Sequence, residues 1–177
     1  ALTAVVEARV SVRFAVDLRT FCDRVAQLAG RSEADPAEHA ARLTLDDLYL
    51  ATACAEGDEA AWAECAKAHF AFIRDFARKF LADAAARDLA DQVIADLWQR
   101  RKIGRYEGRS TLRTWIGTVV ANAAVNASRS PRTVGLRSNP PPDAVAVRQH
   151  AAPVRLEDAA AERDLAALVA QSVGALA

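Results

Sequence analysis

Methionine is missing from all 177 residues, initiator included, so Ala1 is not expected to be the native first residue. Net charge is missing too: 23 lysines and arginines balance 23 acids, and the global charge therefore says nothing about a polyanionic partner. Glycine and proline are scarce, at 7 and 6 residues, and no stretch alternates polar with apolar side chains over the length of a strand. That pattern leaves no sheet to propose. The three cysteines, Cys22, Cys54 and Cys65, are odd in number and lack C-x-x-C or His/Cys ligand spacing. They are expected to be small buried thiols in a reducing cytoplasm, with no zinc and no disulfide framework. No apolar run reaches the length that spans a bilayer and no signal peptide opens the sequence, so membrane attachment is not expected. There is no G-x-x-x-x-G-K-S/T or G-x-G-x-x-G, and no neighbouring motifs suggest a Ser/His/Asp set. An enzyme reading has little to stand on, and no cofactor is expected.

Hydrophobic residues make up 52% of the chain, ample for a core, and they recur with helical rather than strand periodicity. The expectation is an all-α protein in four parts. Residues 1–43 form an N-terminal helical extension. Within it, Ala1 to Val10 is a short helix; Asp17 caps a stronger one with an apolar stripe of Phe14, Leu18, Phe21, Val25 and Leu28, and Gly30 closes it. Residues 31–40 read as a polar connection. The main helical domain spans 44–129. Thr44 is placed as the cap of a helix that Gly57 ends, and Asp58 as the cap of a long helix running to Asp83, with Trp62, Cys65, Ala66, His69, Phe70, Ile73, Phe76 and Phe80 on its apolar side. His69 is read as a half-buried packing residue, since no ligand or triad partner lies at the needed spacing. Residues 130–155, with three prolines at 140–142, read as a linker, and 156–177 as a terminal helix with a stripe of Leu165, Leu168, Val169, Val173 and Leu176.

Asp88 to Arg129 is the stretch around which the rest is organised. Leu89, Val93 and Leu97 recur every four residues with Ile94 and Trp98 beside them, while Asp88, Asp91, Gln92, Ala95 and Gln99 fall on the other face. A loop, KIGRYEGRS, follows. Ser110 is then placed as the N-cap of a second helix whose stripe is Leu112, Trp115, Ile116, Val119 and Ala123. Thr118, Asn122, Asn126 and Arg129 line its opposite side. Between Arg100 and Arg137 stand nine arginines and lysines against Glu107 alone, an asymmetry that marks a polyanion-facing surface. Arginine can neutralise phosphate, Asn122 and Asn126 carry paired donor and acceptor groups, and Tyr106 and Trp115 offer π-faces to unstacked bases. Trp115 also lies on the apolar stripe, so core packing competes with that role.

In order and spacing, Asp88-Leu89, Val93, Leu97-Trp98, Gly108, Trp115-Ile116, Val119-Val120, Asn122 and Arg129 resemble region 2 of the sigma-70 family of bacterial RNA polymerase initiation factors, the extracytoplasmic-function type in particular. The resemblance covers roughly Leu45 to Arg132. It implies a helical bundle that binds core RNA polymerase, at the β′ clamp helices, through Asp88, Asp91, Gln92, Ala95 and Gln99. It further implies that Arg105, Tyr106, Gly108, Arg109, Ser110, Arg113, Asn122, Asn126 and Arg129 contact the non-template strand of the promoter's minus-ten element, the loop residues holding a flipped base. An anti-sigma factor is a third partner the family suggests. Residues 156–177 would then begin a truncated region 4. Two departures stand out: Asp91-Gln92 replaces the usual Gln-Glu, and Arg87 sits where an acid is common. Primary factors carry two adjacent aromatics where this chain has Trp115-Ile116, so strict dependence on a good promoter is expected. The swapped Asp91-Gln92 pair keeps a second reading open, a helical protein-interaction module on the same scaffold that does not read promoters.

Overall fold

The computed structural model describes residues 1–30, 35–99 and 101–129. Seven α-helices and one 3-10 turn account for the regular structure among them, and no strand occurs there. In order they are α1 (Leu2–Glu7), α2 (Leu18–Ala29), α3 (Pro36–Ala41), α4 (Leu45–Glu56), α5 (Glu59–Ala77), α6 (Asp83–Gln99), the 3-10 turn Lys102–Arg105, and α7 (Leu112–Arg129). The expected linker over 130–155 and terminal helix over 156–177 lie outside the described residues.

Several boundaries follow from local chemistry visible in the sequence. The Asp17 carboxylate accepts from Thr20 N at 2.7 Å and the Asp58 carboxylate from Ala61 N at 2.9 Å, each satisfying an orphan donor of a first turn. Gly57 ends α4 at φ 90°, a left-handed conformation that suits glycine. Other boundaries differ from expectation. The polar connection contains α3, opened by Asp35, which accepts from Ala37 N and Glu38 N, with Pro36 in the first turn. The long helix stops at Ala77 rather than Asp83. There the chain turns so that Phe80 meets Phe76 edge-on at 5.1 Å, and Arg78 reaches both Asp75 and Asp83. α6 begins at Asp83, five residues before Asp88, because Ala84 to Ala86 are strong helix formers behind an acidic first-turn residue.

α5 packs against α4, α6 and α7, and α1, α2 and α3 pack on one another. Both groups share one apolar core that runs from Val6 to Ala124. Tyr49 of α4 joins them. Its buried ring stacks on Phe14 and meets Phe21 edge-on, while its hydroxyl takes the N–H groups of Arg13 and Phe14 and donates to Val16 O at 2.9 Å. Arg9 donates to the carbonyls of Ala40, Ala41 and Leu43, which caps the far end of α3 and ties it to the start of α4. No described helix is long and apolar enough to cross a membrane.

Candidate nucleic-acid and partner interface

α6 is anchored by Ala86, Leu89, Ala90, Val93 and Leu97, all buried. Burial of each Leu or Val side chain contributes about 1.5–3 kcal/mol. The opposite side exposes Asp88, Asp91, Gln92 and Gln99, with Ala95 half-buried among them. All five expected partner-binding residues therefore share the side of α6 turned away from the core. Asp91 lies 3.9 Å from the Arg74 guanidinium, a solvated pair of little energetic weight. Trp98, expected beside the apolar stripe, is instead half in solvent.

The loop after α6 is held from three sides. Arg101 adopts a left-handed conformation, φ 48° and ψ 32°, and donates to Ala55 O at 3.0 Å at the end of α4. Arg24 of α2 donates to Gly104 O. Thr44 supplies the third tie. Its backbone N–H donates to Gly108 O at 2.9 Å, and its hydroxyl lies 3.0 Å from Gly108 O, 2.8 Å from Ser110 O and 2.6 Å from the Tyr106 hydroxyl. Tyr106 in turn donates to Ser110 O. Thr44 occupies the N-cap position of α4 as expected, but its side chain makes no capping bond, being committed to the loop.

This arrangement corrects part of the expected DNA-contacting set. Tyr106 is buried, so its ring is not offered to a base, and burial pushes its hydroxyl pKa up. Gly108 is buried as well. Its φ of 74° and the Leu48 Cβ only 3.3 Å from where a side chain would begin explain the glycine by backbone packing. Between Lys102 and Ser110 the exposed side chains are Arg105, Arg109 and Ser110, with Arg109 paired to Glu107 at 3.1 Å.

α7 starts one residue later than Ser110 would place it. Thr111 Oγ1 accepts from Thr114 N at 3.2 Å, and Asp47 of α4 accepts from Leu112 N at 2.7 Å, so this N-terminus is satisfied partly from another helix. Leu112, Ile116, Val120, Ala121 and Ala124 are buried. Arg113 has a packing role that the sequence did not show. It is half-buried, with its guanidinium 3.9 Å over the Phe72 ring of α5, a contact that ties α7 to α5. That outer stripe consists of Thr118, Asn122 and Asn126, all exposed, with half-buried Trp115 at its head. Trp115 meets the buried Tyr106 ring edge-on at 5.7 Å. Arg129 is the last residue of α7, and only its backbone is described.

His69 sits near Asp47 and Arg113, half-buried, with Nδ1 buried and unpaired. Desolvation lowers its pKa, Arg113 lowers it further, and Asp47 opposes both. Phe72 and Asp47 are the residues that sequence reasoning missed here; Phe72 is off the expected stripe of α5, and nothing local to Asp47 signals a cap sixty-five positions away. No protein-family model, curated protein or solved structure matches this chain. Fold and surface together define an all-α helical domain with an acid-bearing helix face and a basic loop beside an amide-bearing helix face.

Proposed function

We propose that this chain is a transcription initiation module of the sigma-70 type, which binds core RNA polymerase through α6 and contacts an unpaired promoter strand through the loop and α7. One observation carries the reading. The two helices of the resembled region present different chemistry to solvent, carboxylates and glutamines on α6 and amides with a half-buried indole on α7, and the loop between them projects two arginines while its backbone is pinned. A pinned backbone with projecting cations suits a single strand, whose phosphates need cations at fixed positions and whose bases need a flat apolar face. With Tyr106 buried, Trp115 is the aromatic available for stacking. Arg105, Arg109 and Ser110 are the loop contacts, and Asn122 and Asn126 continue along the strand.

Burial of Tyr106 and Gly108 also favours the second reading, a helical module that binds a protein regulator and does not read DNA, because both residues are fully explained by packing. The two readings part on one experiment. Labelled single-stranded oligonucleotide carrying a minus-ten sequence is titrated with the chain, with and without core polymerase, at two salt concentrations. A promoter-reading module binds in a salt-dependent manner and more tightly with polymerase present, whereas a regulator-binding module shows neither effect.

A further inference from the structure

Trp98 and Val12 are the large apolar side chains left exposed among the described residues, and Trp98 stands on the acidic helix. The residue is 50% exposed, yet its ring is not loose. One side lies against Trp62 of α5, with ring centroids 4.7 Å apart, and Trp62 is itself buried and fixed by an Nε1–H bond of 2.9 Å to Cys54 O. An indole that is held on one side and bare on the other has already lost its rotamer freedom, so a partner that covers it gains apolar burial at little further entropic cost. Isolated exposed apolar residues are ordinary on protein surfaces, but an immobilised tryptophan is the residue type that dominates interface energetics.

The surroundings define what would cover it. Trp98 lies seven positions, two helical turns, beyond Asp91, so both belong to one stripe of α6, and half-buried Ala95 lies between them. The small alanine side chain allows a second helix to approach closely. On α6 the exposed charges are Asp83, Asp88 and Asp91 against Arg87, and the 3.9 Å contact from Arg74 leaves Asp91 largely solvated. A helical surface bearing arginines fits on both counts, since guanidinium pairs with the carboxylates and stacks on the indole face. We infer that Trp98 is the apolar anchor of the partner surface on α6, and that its occupant is an arginine-bearing helical face of another protein. The inference rests on the polymerase-binding reading above, in which the occupant is the clamp-helix region of core polymerase.

The test uses the full chain and purified core polymerase, with wild type, Trp98→Ala, Trp98→Phe and Asp91→Lys compared by equilibrium titration at low and high salt. Hot-spot truncation weakens binding by about thirtyfold, so Trp98→Ala is expected to lose at least tenfold at both salt concentrations. Trp98→Phe, which keeps a ring against Trp62, is expected to retain most of the affinity. Asp91→Lys is expected to lose more at low salt than at high salt, because its contribution is screened. Thermal unfolding of each variant keeps folding defects apart from binding defects, and Trp98→Gln, which removes the aromatic ring while keeping a side-chain stem and is expected to lose as much as Trp98→Ala, carries the test if the Ala variant unfolds. Trp98→Ala, or Trp98→Gln in its place, binding within twofold of wild type while Asp91→Lys is weakened would overturn this inference and leave the polymerase reading standing. A wild-type chain that does not bind polymerase at all overturns both. Sedimentation velocity covers the remaining occupant: a wild-type dimer that Trp98→Ala converts to monomer would mean that a second copy of this chain covers the indole, which also overturns the inference.

Discussion

Thr44 and Tyr106 carry more of the loop's geometry than any exposed residue does. Their hydroxyls share the carbonyls of Gly108 and Ser110, and with one hydrogen each they can donate to one carbonyl apiece, so the pair works as a unit. Removing the Thr44 hydroxyl as Thr44→Val leaves half-buried acceptors short of a donor, and a loss of about 1–3 kcal/mol in urea unfolding is expected. Tyr106→Phe is expected to cost about 1 kcal/mol, and the double variant less than the sum of the two, because each single change already disrupts the shared network. Tyr106→Phe should leave the ratio of matched to mismatched oligonucleotide binding unchanged, since that hydroxyl faces carbonyls and not a ligand. His69 provides the pH dependence. Its folded pKa lies below the ordinary value of 6.5, so the unfolded chain binds the proton more readily. Its contribution is therefore intact above about pH 6.5 and is lost as pH falls below that value. His69→Gln is expected to flatten the decline in melting temperature between about pH 7 and pH 5; His39, lowered chiefly by burial as well, leaves a residual slope. An unchanged profile in His69→Gln would show that the buried imidazole does not take part.

On the proposed reading, α6 is the element that couples fold to partner. Its core side is fixed by Leu89, Val93 and Leu97, while Asp88 and Asp91 on its outer side are exposed and Asp91 makes only a solvated pair with Arg74, so charge reversal there is expected at small cost to stability. Asp88→Lys or Asp91→Lys is expected to shift unfolding free energy by no more than about 0.5 kcal/mol while weakening core polymerase binding. A large stability loss would place these carboxylates among the supports of the fold. The same helix shows how much could be read from sequence. Its apolar period, the Asp caps of α2 and α5 and the Gly57 stop are signals carried within a few residues of the feature, and they were legible. What escaped was decided by distant partners. Asp47 supplies a cap to α7 from α4, Phe72 receives Arg113 from α7, and Thr44 gives up its own helix's cap to hold a loop more than sixty residues on. Tyr106 in a glycine-bearing basic loop reads as an exposed aromatic until those ties are seen, and Trp98 reads as core until α5 proves to cover one side of it alone. The Asp35-Pro36 start of α3 was a local signal that the surrounding polar composition masked.

At the scale of the whole molecule, the N-terminal helices α1 to α3 and the later helices α4 to α7 share one core, and both groups support the loop: Arg24 from α2 and Thr44 from the start of α4 grip its backbone and leave Arg105, Arg109 and Ser110 outward. On the proposed reading, this outward basic edge contacts the phosphates of an unpaired promoter strand when polymerase is bound. Arg105 is the residue to change, being exposed on a pinned backbone. Fluorescence anisotropy of a single-stranded minus-ten oligonucleotide with core polymerase, measured over a range of salt for wild type and Arg105→Ala, reads this contact. A cation on one phosphate contributes about 0.7 to the salt slope for single strands. Arg105→Ala should therefore bind more weakly, with a slope shallower by about that amount and an equal loss for matched and mismatched sequences. An unchanged affinity and slope in Arg105→Ala, beside a wild-type chain whose binding is indifferent to salt, would contradict the promoter-strand assignment and leave the regulator-binding reading in its place.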